Sequence, residues 1–204
     1  MPRKSAPSRK AEIVAVTLRL ADELGPDRLT TQAIADAVGL TQPAIFRHFP
    51  TKQALWQAVG EAIDARMTES WTAALADNAA PRDRLVALIL AQLGHIERTP
   101  AIPAILHSRE LQGENAELRQ RFGALMARFL NLLAAELARA RAAGLVRRTL
   151  DPADGALLLV SLVQGLAIRW SLGARGFALA AEGRRLLDIQ LALMGFPDAH
   201  GRDG

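Results

Sequence analysis

Residues 29–55 read LTTQAIADAVGLTQPAIFRHFPTKQAL, and this stretch decides the fold. Its apolar residues recur at helical spacing on both sides of Gly39, so the stretch predicts two short helices joined by a tight turn. Thr30 or Thr31 can cap the first helix and Thr41 the second, because a threonine hydroxyl accepts a hydrogen bond from a first-turn N–H group. Gly39 can take the left-handed backbone conformation that ends a helix. The pattern predicts a helix-turn-helix.

The second helix of this pair carries an unusual mixture of outward side chains. The residues expected to point away from the core are Gln42, Pro43, Ala44 and Arg47. Glutamine can form two hydrogen bonds with adenine, arginine can do so with guanine, and small apolar side chains can contact a thymine methyl group. The mixture therefore predicts a recognition helix that enters the major groove of double-stranded DNA.

The charges around this motif also indicate a polyanionic partner. Residues 1–55 contain eight basic and five acidic residues. Lys52 lies in the first turn of the predicted fourth helix, where a positive charge opposes the helix dipole. That arrangement becomes favourable if a phosphate binds both the lysine and the helix N-terminus. The alternative, a helical hairpin inside a bundle, explains neither the outward side chains nor the position of Lys52.

Over the same stretch the chain resembles the TetR family of transcriptional regulators. That family's signature comprises a Thr-initiated helix, Ile-Ala, Ala-x-Gly, then Leu-Tyr-x-His-Phe and Lys, which residues 29–55 match closely. Beyond about residue 57 the resemblance rests on length, helix count and residues 164–166 (QGL). It implies a repressor with a three-helix DNA-binding domain at residues 1–57. An effector-binding and dimerisation domain would occupy residues 58–204.

The resemblance also implies roles for matching positions. The residues expected to contact phosphates or the DNA backbone are Thr31, Thr41, His48 and Lys52. Gln32 is expected to reach a base edge. Phe46 stands where the family usually has Tyr, so a phenolic hydrogen bond to phosphate is missing there. Phe46 is instead expected to pack against a sugar or a thymine methyl group.

Composition independently favours an all-α fold. Half of the residues are hydrophobic, only 4% are aromatic, and Tyr is absent. Strand-forming clusters of Val, Ile and Thr are scarce. Gly and Pro breaks divide the chain into about nine helices, of which the fourth joins the DNA-binding module to the rest. The eighth begins at Asp151-Pro152 and runs to about Leu172, and the ninth runs from about Ala180 to Met194.

The sequence contains few candidate residues for catalysis or metal binding. The absence of Cys excludes disulfides and thiolate chemistry. His107 and Glu110 have a spacing used in helical metal sites, but no second such pair accompanies them. We therefore predict no catalytic residues, no metal, no cofactor and no enzyme. The most apolar segment, residues 156–168, is shorter than the roughly 20 residues that span a bilayer, so we expect a cytoplasmic protein without membrane insertion.

The predicted eighth helix is apolar almost all round, so it must be covered on every side. One face can pack within its own subunit. The other is expected to meet a second copy across a two-fold axis, which predicts a homodimer through helices eight and nine. Ser161 and Gly165 would permit close helix approach. The alternative is a helix buried centrally within a monomer.

The remaining helices are expected to hold a small apolar or aromatic effector. The candidate ligand-binding residues are the adaptable, flat or sparsely polar side chains Met67, Trp71, Gln92, His95, Phe122, Met126, Phe129 and Gln164. The same side chains could instead form an ordinary core. An alternative function is that of an architectural or nucleoid-associated dimer, which binds DNA without an effector.

Overall fold

The computed structural model describes residues 5–76 and 80–197, and every regular element within these ranges is a helix. The predicted all-α fold is confirmed. The ten helices of the described residues are α1 (Ala6–Leu24), α2 (Thr31–Val38), α3 (Gln42–His48), α4 (Lys52–Leu75), α5 (Pro81–Arg98), α6 (Ala101–His107), α7 (Arg109–Glu114), α8 (Ala116–Ala142), α9 (Pro152–Leu172) and α10 (Leu179–Met194).

The predicted sixth helix is divided into α6 and α7. Ser108 leaves the helical conformation, with φ −66° and ψ 111°, and its hydroxyl accepts a hydrogen bond from the Leu111 N–H group at 2.9 Å. Asn115 then begins α8, because its Oδ1 accepts from the Leu118 N–H group at 3.0 Å. The Ser108 cap therefore begins α7 as a separate helix. The Asn115 cap makes α8 begin slightly later than predicted.

The described residues form two compact units. Residues up to Arg66 and Thr99–Gly123 make up the first, and Met67–Arg98 with the residues from Ala124 onward make up the second. Helices α4 and α8 contribute residues to both. The first unit therefore contains more than residues 1–57. The division into a DNA-binding domain before residue 58 and an effector-binding domain after it stays a prediction about function.

The core of the first unit brings α1, α2, α3 and the first half of α4 together with α6 and the start of α8. Its fully buried side chains include Ile13, Leu29, Ile45, Leu55, Ile63, Ile102, Ile105 and Leu118. A Cβ atom at Gly60 would lie only 2.5 Å from Leu118 Cδ1. A larger residue at this position would therefore require the Leu118 side chain to shift.

In the second unit α5 packs against both α9 and α10. Its fully buried side chains include Leu85, Leu88, Ile89 and Leu93 on α5, and a Cβ atom at Gly183 of α10 would overlap Leu93. Hydrogen bonds from Arg185 and Arg169 to Glu182 lower the pKa of that carboxyl to about 2. This exposed ion cluster links α9 to α10.

Helix α9 is longer than the apolar segment at residues 156–168 suggested. It spans 21 residues and contains an 18-residue window with a mean hydropathy of 1.6, so by length and composition alone it could cross a bilayer. The length argument against membrane insertion is therefore wrong. The inner face of α9 is nevertheless packed within the second unit, where Leu159, Val163 and Trp170 are buried.

Candidate nucleic-acid interface and effector site

The helix-turn-helix forms as its sequence predicts. Thr30 is the capping residue of α2, and its hydroxyl accepts from the Ala33 N–H group at 3.1 Å. Gly39 ends the helix in the left-handed conformation, with φ 70° and ψ 38°. Ile34 and Ala35 of α2 are buried where this helix packs against α3.

The outer side of α3 presents most of the predicted DNA-binding residues. Pro43, Phe46 and Arg47 are exposed, and so is Thr41 at the capping position before the helix. Gln42 is half-buried, and its Nε2 donates a hydrogen bond to Thr31 Oγ1 at 2.7 Å. This bond links the start of the recognition helix to the start of α2.

Ala44 corrects the predicted recognition surface. Only 6% of this residue is exposed, and it lies with Ile45 and Phe49 on the inner face of α3. A seven-residue helix that must bury one face turns every third or fourth residue inward. Ala44 lies beside buried Ile45 and one turn before half-buried His48, so its small side chain serves packing and does not face outward.

The remaining predicted contacts surround α3. His48 is half-buried at its end, and Lys52 is exposed at the first position of α4. The Thr51 hydroxyl caps α4 by accepting from the Ala54 N–H group at 3.0 Å. Gln32 is exposed, and its Nε2 donates to Asp36 Oδ1 at 2.6 Å. The exposed cation at this helix start is the arrangement that favours a bound phosphate.

Next to this surface the first unit contains a cavity of about 130 Å³ that the sequence did not predict. Its lining residues are Pro26, Asp27, Lys52, Gln53, Trp56, Leu111, Glu114 and Asn115. The Asn115 Nδ2 group donates to the Gln53 carbonyl at 3.2 Å, and Ser108 donates to Asp27. These bonds join the turn after α1 and the start of α4 to the residues around α7.

Half of the predicted effector residues form one aromatic cluster in the second unit. The rings of Trp71 and Phe129 stack with centroids 4.9 Å apart and planes 18° from parallel. Trp71 Nε1 donates to Gln92 Oε1 at 3.0 Å, and Gln92 Nε2 lies 3.9 Å from the sulfur of Met67. The Trp71 indole and the Met67 thioether thus both contact the Gln92 amide. The cluster therefore combines apolar surface with one polar group.

The other four candidates occupy different positions. His95 is buried on α5, and Met126 is half-buried on α8. Phe122 is buried and belongs to the first unit. Gln164 is exposed on the outer face of α9 and does not join the aromatic cluster.

Sequence reasoning missed Glu136, a carboxylate on the inner face of α8. It is 2% exposed and forms ion pairs with Arg84 at 3.0 Å and Arg139 at 2.8 Å. The available signal was a lone acidic residue two turns after Phe129 in an otherwise apolar stripe. Among the described side chains no group of three or more His, Asp or Glu could hold a metal ion, and the Glu110 side chain lies outside them.

The outer face of α9 carries a continuous row of exposed residues. Leu157, Ser161, Gln164, Gly165, Ile168 and Leu172 recur at helical spacing along it. Exposed Ile189 and Leu193 of α10 add to the apolar surface. The alternative of a helix buried on all sides within one chain is wrong, since this face has no cover in the described residues.

Two family models match the chain. Residues 13–59 match "Bacterial regulatory proteins, tetR family", and residues 81–194 match "BetI-type transcriptional repressor, C-terminal". The second match alone covers more than half of the chain.

The chain belongs to the TetR family. It is therefore a DNA-binding transcriptional regulator.

Relatives and solved structures agree with this assignment. The chain is 30% identical to the nucleoid occlusion factor SlmA of Haemophilus ducreyi, over 65% of this chain and 68% of that protein. A transcriptional regulator from Saccharomonospora viridis in complex with choline has a TM-score of 0.80 at 22% identity, covering 91% of this chain and 96% of that one. FadR from Bacillus subtilis in complex with stearoyl-CoA has a TM-score of 0.72 at 17% identity, covering 89% and 97%. Both structures share the fold of this TetR-family regulator.

Proposed function

We propose that this regulator is a cytoplasmic repressor that binds double-stranded operator DNA as a homodimer. A small, mainly apolar or aromatic molecule would bind in the second unit and release the DNA. The aromatic cluster of Met67, Trp71, Gln92 and Phe129 carries this proposal, because it concentrates flat and adaptable surface around one amide. Binding alone is sufficient for this function, without catalysis or a cofactor.

The DNA part of the proposal rests on the exposed side chains around α3. Arg47 can bond a guanine edge, and Gln42 can bond an adenine once its amide leaves Thr31. Lys52, His48 and the helix start at Thr31 supply phosphate contacts. One seven-residue helix reads few base pairs, so useful specificity needs two copies on a pseudo-palindromic site.

The row on α9 supports the homodimer. Leu157, Ile168 and Leu172 expose 52%, 39% and 84% of their surface, which is costly for apolar side chains in water. Ser161 and Gly165 lie between them, and small residues allow two helix backbones to approach closely. A second copy placed on a two-fold axis would cover this row with the same row.

Helix α4 supports the coupling between ligand and DNA. This single helix supplies Lys52 to the candidate DNA surface and Met67 and Trp71 to the aromatic cluster. A ligand that separates the Trp71 and Phe129 rings would change the position of the part of α4 that carries Trp71. A ligand that prefers the DNA-free state then lowers DNA affinity by its differential binding free energy, typically about 1–3 kcal/mol.

Two linked experiments test this function. Selecting genomic fragments with the full-length protein identifies the operator, and a screen of hydrophobic compounds by thermal shift identifies ligands. We expect at least one stabilising compound to release the operator in a fluorescence anisotropy assay. Compounds that stabilise the protein but leave DNA affinity unchanged would contradict the coupling.

A second candidate function is an architectural or nucleoid-associated protein without an effector. The similarity to proteins named nucleoid occlusion factor favours it. Such a protein would bind many genomic sites and respond to no compound in the screen. A repressor would select few sites, close to the genes it controls.

A further inference from the structure

Glu136 places a charge in the interior of the second unit. It lies seven residues after Phe129, and such a spacing puts both side chains on the same face of α8, about 10 Å apart along the helix. Leu133 and Leu137 beside it are fully buried. A buried carboxylate is costly unless hydrogen bonds satisfy its oxygens.

The two oxygens of this carboxylate are used unequally. Arg84 Nε donates to Oε1 at 3.0 Å, and Arg139 Nη1 donates to the same oxygen at 2.8 Å. Oε2 is buried as well, and no donor among the described residues forms a hydrogen bond with it. Glu136 therefore retains a strong acceptor that is shielded from water.

This acceptor and the aromatic cluster lie along the same pair of helices. Arg84 pairs with Glu136, and Gln92 bonds Trp71, which stacks on Phe129. Because Arg84 precedes Gln92 on α5 whereas Glu136 follows Phe129 on α8, the two helices run antiparallel here. In the sequence Leu88 lies between Arg84 and Gln92 on α5, and Leu133 lies between Phe129 and Glu136 on α8. Both leucines are fully buried.

We infer that Glu136 selects the chemical class of the effector. The site takes a molecule whose apolar part contacts Trp71 and Phe129 and whose hydroxyl or N–H group donates a hydrogen bond to Glu136 Oε2. Carboxylates are disfavoured, because their charge would approach another carboxylate and because Arg84 is already bonded to Glu136. This inference rests on the proposed effector site and adds the polar specificity that the aromatic cluster lacks.

Three matched probes test the inference on the full-length protein by titration calorimetry: 2-methylnaphthalene, 2-naphthylmethanol and 2-naphthoate. A hydrogen bond to a charged, buried acceptor is strong, so we expect the alcohol to bind about tenfold more tightly than the hydrocarbon. The carboxylate should bind more weakly than both. The hydrocarbon reports on the apolar site alone.

Variants assign the preference to one residue. In Glu136→Leu the alcohol should lose its advantage over the hydrocarbon, and in Glu136→Gln the penalty on the carboxylate should shrink. Glu117→Gln changes an exposed glutamate of the same helix and should leave all three affinities unchanged. Should Glu136→Leu fail to fold because the ion pair with Arg84 is lost, the wild-type series and Glu136→Gln still test the inference.

Two patterns overturn the inference while the apolar site stands: the hydrocarbon binds and the alcohol is no tighter, or the carboxylate binds most tightly. If no probe binds, the apolar site of the proposed function fails and the inference fails with it.

Discussion

At the scale of single residues, the recognition helix separates side chains that pack from side chains that can read DNA. Ala44, Ile45 and Phe49 are buried, whereas Phe46 and Arg47 are exposed. Base contacts specify a sequence and phosphate contacts position the protein, so substitutions at the two kinds of position have different effects.

Arg47→Ala should relax base preference at one position of each half-site, at a cost of about 1–3 kcal/mol for the preferred base. Lys52→Ala should weaken binding to all sequences about equally and reduce the salt dependence of affinity, because it removes one phosphate contact. Anisotropy titrations with operator variants at several salt concentrations separate the two effects. Wild-type behaviour of both variants would show that the recognition surface lies elsewhere.

Phe46→Tyr should strengthen DNA binding. Phe46 is 38% exposed at the position where the TetR family usually has Tyr, so an added hydroxyl can reach a phosphate without disturbing the core. A hydrogen bond to a charged acceptor contributes a net stabilisation of about 1.5–3 kcal/mol, after the loss of hydration is included. Phe46→Leu serves as the control that adds no hydroxyl. Equal affinities of Phe46→Tyr and wild type would place this side chain away from the backbone.

At the scale of helices, α9 has one buried face and one exposed apolar face. Its inner face, including Leu159 and Val163, is buried in the second unit, and its outer row is exposed. A Cβ atom at Gly165 would meet no atom of its own chain within 4 Å. A substitution at Gly165 therefore tests the dimer separately from the fold of the subunit.

Gly165→Arg should dissociate the homodimer and leave a folded subunit. The wild-type protein should have a mass of about 44 kDa by light scattering, twice the 22.0 kDa chain. The variant should have half that mass, because the arginine would be buried without a partner at the two-fold axis. Gly123→Arg is a matched control, since Gly123 is also helical, exposed and free of contacts at Cβ. A dimeric Gly165→Arg protein, or a monomeric wild type that binds its operator, would refute this interface.

At the scale of the whole molecule, the proposed function depends on energetic coupling between the candidate DNA surface and the aromatic cluster. Coupling through a binding equilibrium is reciprocal: a ligand that weakens DNA binding by some factor is itself weakened by DNA by the same factor. A repressor of the proposed kind must obey this equality, whatever the path of the conformational change.

Saturating operator DNA should therefore weaken effector binding by about 5- to 150-fold, matching the loss of DNA affinity caused by the effector. Calorimetric titration of the effector into free and operator-bound protein measures one factor, and anisotropy measures the other. A scrambled DNA of equal length controls for non-specific charge effects. Unequal factors would mean that the compound acts on the DNA or on aggregation.

Local signals in the sequence determined the helix-turn-helix. Thr30, Gly39 and the spacing of Ile34 and Ile45 act within a few residues, so their caps, turn and inner face follow from neighbouring positions alone. Composition and helical periodicity likewise determined the all-α fold and the apolar character of α9. The family signature lies in this same local stretch, which is why the regulatory class followed from it.

Tertiary packing decided the rest, because burial and pairing depend on residues far apart in the chain. Only the folded chain turns Ala44 inward, exposes Gln164, and joins Trp71 to Gln92 and Phe129. Glu136 resembles an ordinary surface charge until Arg84 of α5 and Arg139 both bond one of its oxygens and leave the other buried. Periodicity identifies the side of a helix on which a residue lies, but only the neighbouring helices determine what that side contacts.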